Sequence, residues 1–339
     1  MKTSLSFSLL FLLLGAATVL NIGLGSVWIP PQEVFQSLFH GPLVEQSHEY
    51  ILWSYRAPKT ATAMAVGGGL ALCGLLMQSL FRNPLSGPYV LGLSSGASLG
   101  VSLLILGSSI GLPGWALIEN TGIGRIAAAA LGAIGVLALV VATASRVKDT
   151  MALLLVGLMI GSITSAVVSI FTYLSDEQSL KQYAIWTMGQ LGGIQGPWLY
   201  GLWILVLLGV LLSIPLAKSM NAVLLGESTA LSLGIHLKRY QWMVIAITGA
   251  LTGGITALVG PIAYVGLAVP HLCRIGLQTS DHRILIPAVL IGGAIVMLLC
   301  DTVAQWPGSA SRLPINAVTS LVGAPLLIWL IWRRKKAFV

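Results

Sequence analysis

Charge is scarce in this sequence. Ten acidic and eighteen basic residues among 339, 8% in all, are too few to coat a water-soluble globule, where about a quarter of residues are charged. With 56% hydrophobic residues and a mean hydropathy of +0.91, this shortage excludes a soluble enzyme or scaffold. Cysteine is also rare. Cys73, Cys273 and Cys300 lie within or beside apolar stretches and show no CxxC spacing, which excludes a disulfide framework and a zinc site and leaves them as small buried apolar residues. No GxxxxGK[ST] phosphate loop occurs, so the chain cannot itself hydrolyse ATP. The roughly ten-residue alternation of an outer-membrane barrel is missing as well. What is present is long apolar runs of helix formers with Gly and Ala, the pattern of an all-α polytopic membrane bundle.

A bilayer core takes about 20 apolar residues per helix. Ten spans are predicted, at about 5–24, 58–80, 89–109, 123–144, 150–173, 197–216, 240–259, 262–276, 284–303 and 315–332. The eighth is short and contains Pro270. Only Lys2 precedes the first, as in a signal peptide, but no clear small-x-small cleavage site precedes Asn21-Ile22-Gly23, so a retained helix is expected.

The charges then sort by side. With the N-terminus in the cytoplasm, thirteen of the eighteen bases fall at inner ends: Lys2, Arg82, Arg146, Lys148, Lys218, Lys238, Arg239, Arg274, Arg283 and Arg333-Arg334-Lys335-Lys336. Seven of the ten acids fall outside with Arg56, Lys59, Arg125, Lys181 and Arg312, giving +10 inside and −2 outside. This is the bias expected when bases near span ends resist translocation. It places both termini in the cytoplasm and accounts for the basic balance without a nucleic-acid partner; the C-terminal basic run reads as a membrane anchor.

One transmembrane domain, residues 1–339, is expected, with no linker. The longest outer segment, 25–55, contains Trp28, Pro30, Pro31 and Trp53 and fits an interfacial belt. Segment 174–196, with Trp186, Trp198 and Tyr200 nearby, suggests a shallow helix at the headgroups. The inner segment 217–239 is too polar to span and too apolar for a solvated tether. Helical periodicity splits it around Gly226 and Gly234: Glu227 to Leu233 forms two turns, with Glu227 and Ser228 at the positive end and Gly234 as the cap. Leu231 and Leu233, with Val223, Leu224 and Leu225, supply apolar area that a water-exposed loop should not display. Two readings stand: the leucines pack under the membrane domain, or the helix docks into a groove of a cytosolic protein.

Glycine is abundant, 39 residues in all, including Gly67-Gly68-Gly69, Gly74, Gly253-Gly254, Gly292-Gly293 and the four-residue spacing Gly92, Gly96, Gly100. Small residues let helices approach where lipid offers no hydrophobic drive, so tight packing on one face is expected. Pro84, Pro88, Pro261, Pro270 and Pro287 lie at or inside membrane edges and imply broken or re-entrant helices. His271 and His282 flank Arg274 and Asp281 but form no metal constellation. Met159, Met188, Met243 and Met297 are scattered, so no thioether relay is drawn. Asp301, near a membrane edge, fits an acid facing water or capping a neighbouring helix better than a proton site.

Residues 56–100 carry a resemblance. Arg56-Ala-Pro-Lys59, Gly69-Leu-Ala-Leu-Cys-Gly74, Gln78, Arg82-Asn-Pro-Leu85, Pro88 and Leu91-Gly-Leu-Ser-Ser-Gly-Ala97 resemble the membrane permeases of type II ATP-binding-cassette (ABC) importers for iron complexes, haem and vitamin B12, the FecCD type. Later blocks follow in the same order: Leu225-Gly-Glu-Ser-Thr-Ala230 with Leu233-Gly234, Tyr264-Val-Gly-Leu-Ala-Val-Pro-His271 with Arg274, Asp281-His-Arg283, Pro287, Asp301, Leu313-Pro314 and Gly323-Ala-Pro325.

The resemblance implies a transport subunit of the cell inner membrane, with no catalytic residue, cofactor or bound metal. Its implied partners are a second copy or a related permease, two cytosolic ATPase subunits and a periplasmic substrate-binding protein. It assigns ATPase coupling to Leu225, Gly226, Glu227, Ala230, Leu231, Leu233 and Gly234, and docking of the binding protein's acidic knobs to Arg56 and Lys59. Two departures stand out. Lys59 replaces the more usual arginine and lacks its bidentate fork; Gln305 stands where some relatives carry a base, with Arg312 nearby to compensate. Arg56 and Lys59 also read as ordinary snorkelling residues. The expected cargo is a bulky metal chelate, ferric siderophore first, then haem or cobalamin. An ion-gradient-driven transporter remains as the alternative class, though neither inverted repeats nor midplane acids are seen.

Overall fold

In the computed structural model the described residues are 2–39, 41, 45–109, 122–146, 150–305 and 312–335. They form helices and connections, with no strand among them. In chain order the helices are α1 (Lys2–Gly23), α2 (Pro31–Phe39), α3 (Gln46–Ile51), α4 (Ala57–Leu80), α5 (Leu93–Ser109), α6 (Gly122–Arg146), α7 (Thr150–Leu174), α8 (Glu177–Thr187), α9 (Pro197–Ser213), α10 (Leu216–Leu224), α11 (Glu227–Ser232), α12 (Leu237–Val259), α13 (Val265–Leu277), α14 (His282–Ala304) and α15 (Ile315–Lys335).

Six stretches are each long and apolar enough to cross a bilayer: α1, α3 with α4, α6, α7, α12 and α14. The bent pair α9–α10 makes a seventh candidate, and α5, α13 and α15 are shorter apolar helices. These ten segments coincide with the ten predicted spans. Details differ at three places. The sixth span ends at Ser213, and the chain turns by 56° through Pro215 into α10, so the inner segment expected from residue 217 begins as a helix. The second span does not start at 58: a π-helical turn over Leu52–Arg56 joins α3 to α4 in one 35-residue stretch, Gln46–Leu80. Between α12 and α13 the backbone is non-helical from Gly260 to Tyr264, both at positive φ, the broken connection that Pro261 suggested.

α4 is the axis of the bundle. Of its most apolar 18-residue window 89% is buried, against 17% for α1 and α7 at the periphery. α14, α13, α12, α9 and α1 pack around it, and glycine sets how closely. A Cβ on Gly67 would stand 2.2 Å from the carbonyl oxygen of Gly293 in α14, and one on Gly74 would stand 1.6 Å from that of Gly266 in α13. Both obstacles are backbone, which cannot rotate away. The α5–α6 crossing is built likewise, Gly96 and Gly100 against Gly132 and Ala128. Gly92 is not on that face: it precedes α5 in a left-handed conformation, φ 71°, and lies against Gly157 and Gly161. The three cysteines are buried, as expected.

Gly74→Val should therefore force α4 from α13 and lower the thermal unfolding midpoint of the purified protein by several degrees, since overpacking costs about 1–3 kcal/mol. Gly135→Ala, whose new methyl meets nothing within 4 Å, should leave it unchanged. Equal midpoints for the two variants would refute the close-approach account.

Candidate functional site

The sequence-predicted site residues collect at two opposite ends of the bundle. At one end, the last turn of α1, the start of α4, the last turn of α14 and the connection before α15 converge. Arg56 lies on the π-helical turn with 7% of its surface exposed. Its Nη1 donates to the carbonyls of Ile22 and Gly23, at 2.9 Å to the latter, and its Nη2 donates to that of Val27. The guanidinium thus caps the C-terminal end of α1, where carbonyls lack helical partners. Gly25 makes room for it: a Cβ there would lie 2.7 Å from Nη2.

Lys59, one turn on, is also engaged. Its Nζ is 2.8 Å from Oδ1 of Asp301, with side-chain exposures of 11% and 3%. Oδ2 of Asp301 accepts from Asn21 Nδ2 at 2.9 Å and from Gln305 Nε2 at 2.8 Å. Asn21 in turn donates to the carbonyl of Leu298 and accepts from Thr60 Oγ1 at 2.7 Å. Asp301 is therefore neither the water-facing acid nor the cap of a neighbouring helix that the sequence suggested. It is the counter-ion of Lys59, held by side chains of α1 and α4 and of the residue that follows α14, because an unpaired carboxylate at this depth would be too costly.

Arg312, by contrast, is exposed. It lines a hollow of about 300 Å³ together with Arg56, Lys59, Gln305 and Tyr55. A Cβ on Gly192 would be 3.7 Å from Arg312 Nη1 and 3.8 Å from Lys59 Cδ, so this glycine sits between the two bases. The structure brings Arg56, Lys59 and Arg312 together around one opening.

At the opposite end stands the segment from α10 to the start of α12. Gly226, at φ 111°, and Gly234, at φ 79°, bracket α11. Gly234 N–H donates to Leu231 O at 2.9 Å and Ile235 N–H to Ala230 O at 3.0 Å, the paired bonds of a glycine-terminated helix. Ala230 is buried, whereas Leu225, Leu231 and Leu233 are 70%, 57% and 62% exposed. Leu224 is exposed too, but Val223 points into the core, which corrects the expectation that it joins the apolar display. Glu227 Oε1 pairs with Arg82 Nη2 at 2.6 Å on the surface, linking α11 to the turn after α4.

One residue here escaped sequence reasoning. Asn221 in α10 donates to Asp281 Oδ1 at 2.6 Å and accepts from His282 N–H at 2.9 Å, tying α10 to the N-terminus of α14. This donation, and then the Arg283 N–H, hold the Asp281 carboxyl below its ordinary value, so the tie persists at neutral pH and weakens only as the pH falls through the folded value. Gln78, in α4, bonds Leu267 O at 3.1 Å and accepts from Arg274. Nothing in the spacing of these polar residues marks them as partners. Among the described residues no group of three or more His, Cys, Asp or Glu gathers as a metal ion needs.

The chain is similar to known proteins along most of its length. The pattern of the FecCD transport family matches residues 12–333. The vitamin B12 import system permease protein BtuC of Salmonella arizonae is 37% identical over 330 residues, covering 96% of this chain and 93% of the relative. The protein of the same name from Klebsiella pneumoniae matches equally. A solved structure described as an inward-facing conformation of an ABC transporter of metal-chelate type superposes with a TM-score of 0.84 at 31% identity, covering 97% of this chain and 99% of that one.

Removing the Arg56 fork tests its capping role. Hydrogen bonds to charged groups contribute about 1.5–3 kcal/mol each, so Arg56→Ala should lower the thermal midpoint by several degrees, and Arg56→Lys, which keeps charge without the planar donors, should recover only part of it. An unaltered midpoint in Arg56→Ala would remove the residue from the scaffold.

Proposed function

The chain belongs to the FecCD transport family, and from that premise we propose the cargo, sidedness and assembly of the transporter it serves. It is the permease subunit of a type II ABC importer of the inner membrane, a multi-pass transport component without a catalytic role, and ATP hydrolysis resides in a separate subunit. An ATPase, a binding protein and a permease dimer come with that membership.

The cargo we propose is a bulky metal chelate of the corrinoid kind. The observation that carries this is 37% identity, over 96% of the chain, to permeases named for vitamin B12 import. This reverses the order favoured by sequence alone, which put ferric siderophore first; siderophore and haem become the competitors. Where charged side chains of the apolar helices are described, they stand in end turns, which suits carriage of a large complex better than conduction of a bare ion.

The end bearing Arg56, Lys59 and Arg312 faces the periplasm and receives acidic side chains of the binding protein. Arg312 is the exposed base there, Lys59 the largely shielded one, and Arg56 chiefly holds the site together. The end bearing α11 faces the cytoplasm, where Leu225, Leu231 and Leu233 enter the ATPase, while Gly226, Glu227, Ala230 and Gly234 shape and aim the helix. Support comes from the excess of bases at that end and from apolar side chains standing out from a helix outside the spans. An even number of spans puts both termini on one side, which the excess of bases makes the cytoplasm, and two permease copies, two ATPases and one binding protein complete the assembly. An ion-gradient-driven mechanism would want an available acid, and Asp301 is committed to Lys59.

Proteoliposomes containing the permease, its ATPase and its binding protein should take up radiolabelled cyanocobalamin only with internal ATP, and neither haem nor a ferric siderophore should compete. ATP-driven uptake of a ferric siderophore with no cobalamin uptake would overturn the cargo assignment.

A further inference from the structure

Asp301 is an acid placed where incoming acids are to be received. Among the residues lining the two adjoining hollows at that end are three bases, Arg56, Lys59 and Arg312, and one acid, Asp301. Its carboxylate is spent on three donors, Lys59 at 2.8 Å, Asn21 at 2.9 Å and Gln305 at 2.8 Å. It is also fixed: Asn21, which holds it, is itself bonded to Thr60 Oγ1 at 2.7 Å, to Leu298 O at 3.2 Å and to Thr302 Oγ1 at 3.2 Å. The carboxylate therefore cannot swing away from a second negative charge brought into the hollow.

We propose that Asp301 is an internal competitor for Lys59, which holds the ammonium against α14 while the hollow is empty and opposes the binding protein's carboxylate when it arrives, so that it limits how long the binding protein stays docked. The inference rests on the docking reading above. An ammonium has three donors, so Lys59 can bridge Asp301 and an incoming carboxylate. The two carboxylates then share one cation a few ångströms apart in a half-buried site, where like charges repel far more than in water. Arg312, exposed and in no ion pair among the described residues, attracts the partner at long range; Asp301 acts only after contact, and therefore on departure. An importer needs that departure, since an emptied binding protein must leave before a loaded one can dock. A purely structural role for Asp301, gluing α1, α4 and α14, makes a different prediction: its loss should loosen the bundle and weaken docking.

The test measures association and dissociation of the importer's binding protein on the permease–ATPase complex in nanodiscs over a series of salt concentrations. Asp301→Asn, which keeps shape and an accepting oxygen, should bind about threefold to tenfold more tightly, mainly through slower dissociation, with a steeper salt dependence. Gln305→Lys, which leaves the acid in place and gives it a second ammonium at the position already 2.8 Å away, should shift in the same direction and covers the case in which Asp301→Asn does not assemble. Arg312→Glu is the control for the docking reading and should weaken binding. If Arg312→Glu weakens binding while neither other variant slows dissociation, the competitor role is overturned and docking stands. If Arg312→Glu leaves binding unchanged, the docking site falls and this inference with it.

Discussion

In the middle of a bilayer there is no water to satisfy a backbone amide or a charge, and the rest of this structure follows from that constraint. Backbone groups are met within helices, so the apolar segments are helical throughout. Helices in lipid gain little from hydrophobicity when they associate, so contact must come from close approach. The glycines of α4 supply it at its crossings with α14 and α13, where any side chain would strike backbone. Charges are pushed to the ends, and there the most buried are paired or spent on carbonyls, Lys59 on Asp301 and Arg56 on the last turn of α1.

The consequence for function is a division of labour along one rigid bundle. Three bases from separate parts of the chain meet around a hollow at one end, and a short glycine-bracketed helix with standing leucines occupies the other. α14 belongs to both. Its N-terminus, Asp281 and His282, is tied to Asn221 of α10, and its last turn carries Asp301. A displacement of α10 at one end therefore bears on the helix that holds Lys59 at the other.

Much of this was legible in the sequence, because hydropathy and charge bias answer directly to the bilayer. The ten spans, the split around Gly226 and Gly234 and the exposed Leu231 and Leu233 needed only periodicity and cap chemistry. What was not legible depended on tertiary partners. Asp301 reads as a surface acid until α4 brings Lys59 beside it. Arg56 reads as a docking or snorkelling base until the end of α1 is seen to require its donors. Val223 and Leu224 are equally apolar neighbours, and only the turn of α10 decides which is buried. The extension of α4 back to residue 46 was hidden because Trp53, Tyr55 and the polar residues before them look like an interfacial loop, and a π-helical turn has no compositional mark.

The central claim is that the two ends are coupled through this chain. The most direct measurement is ATP hydrolysis by the reconstituted permease–ATPase complex, with and without loaded binding protein, for the native chain and for the double variant Leu231→Asp, Leu233→Asp. Each fully buried leucine is worth about 1.5–3 kcal/mol, so the double variant should fold, still bind the binding protein and lose the ATPase on size exclusion, abolishing the stimulation that the native complex shows. Undiminished stimulation in the double variant, or none in the native complex, would contradict the account.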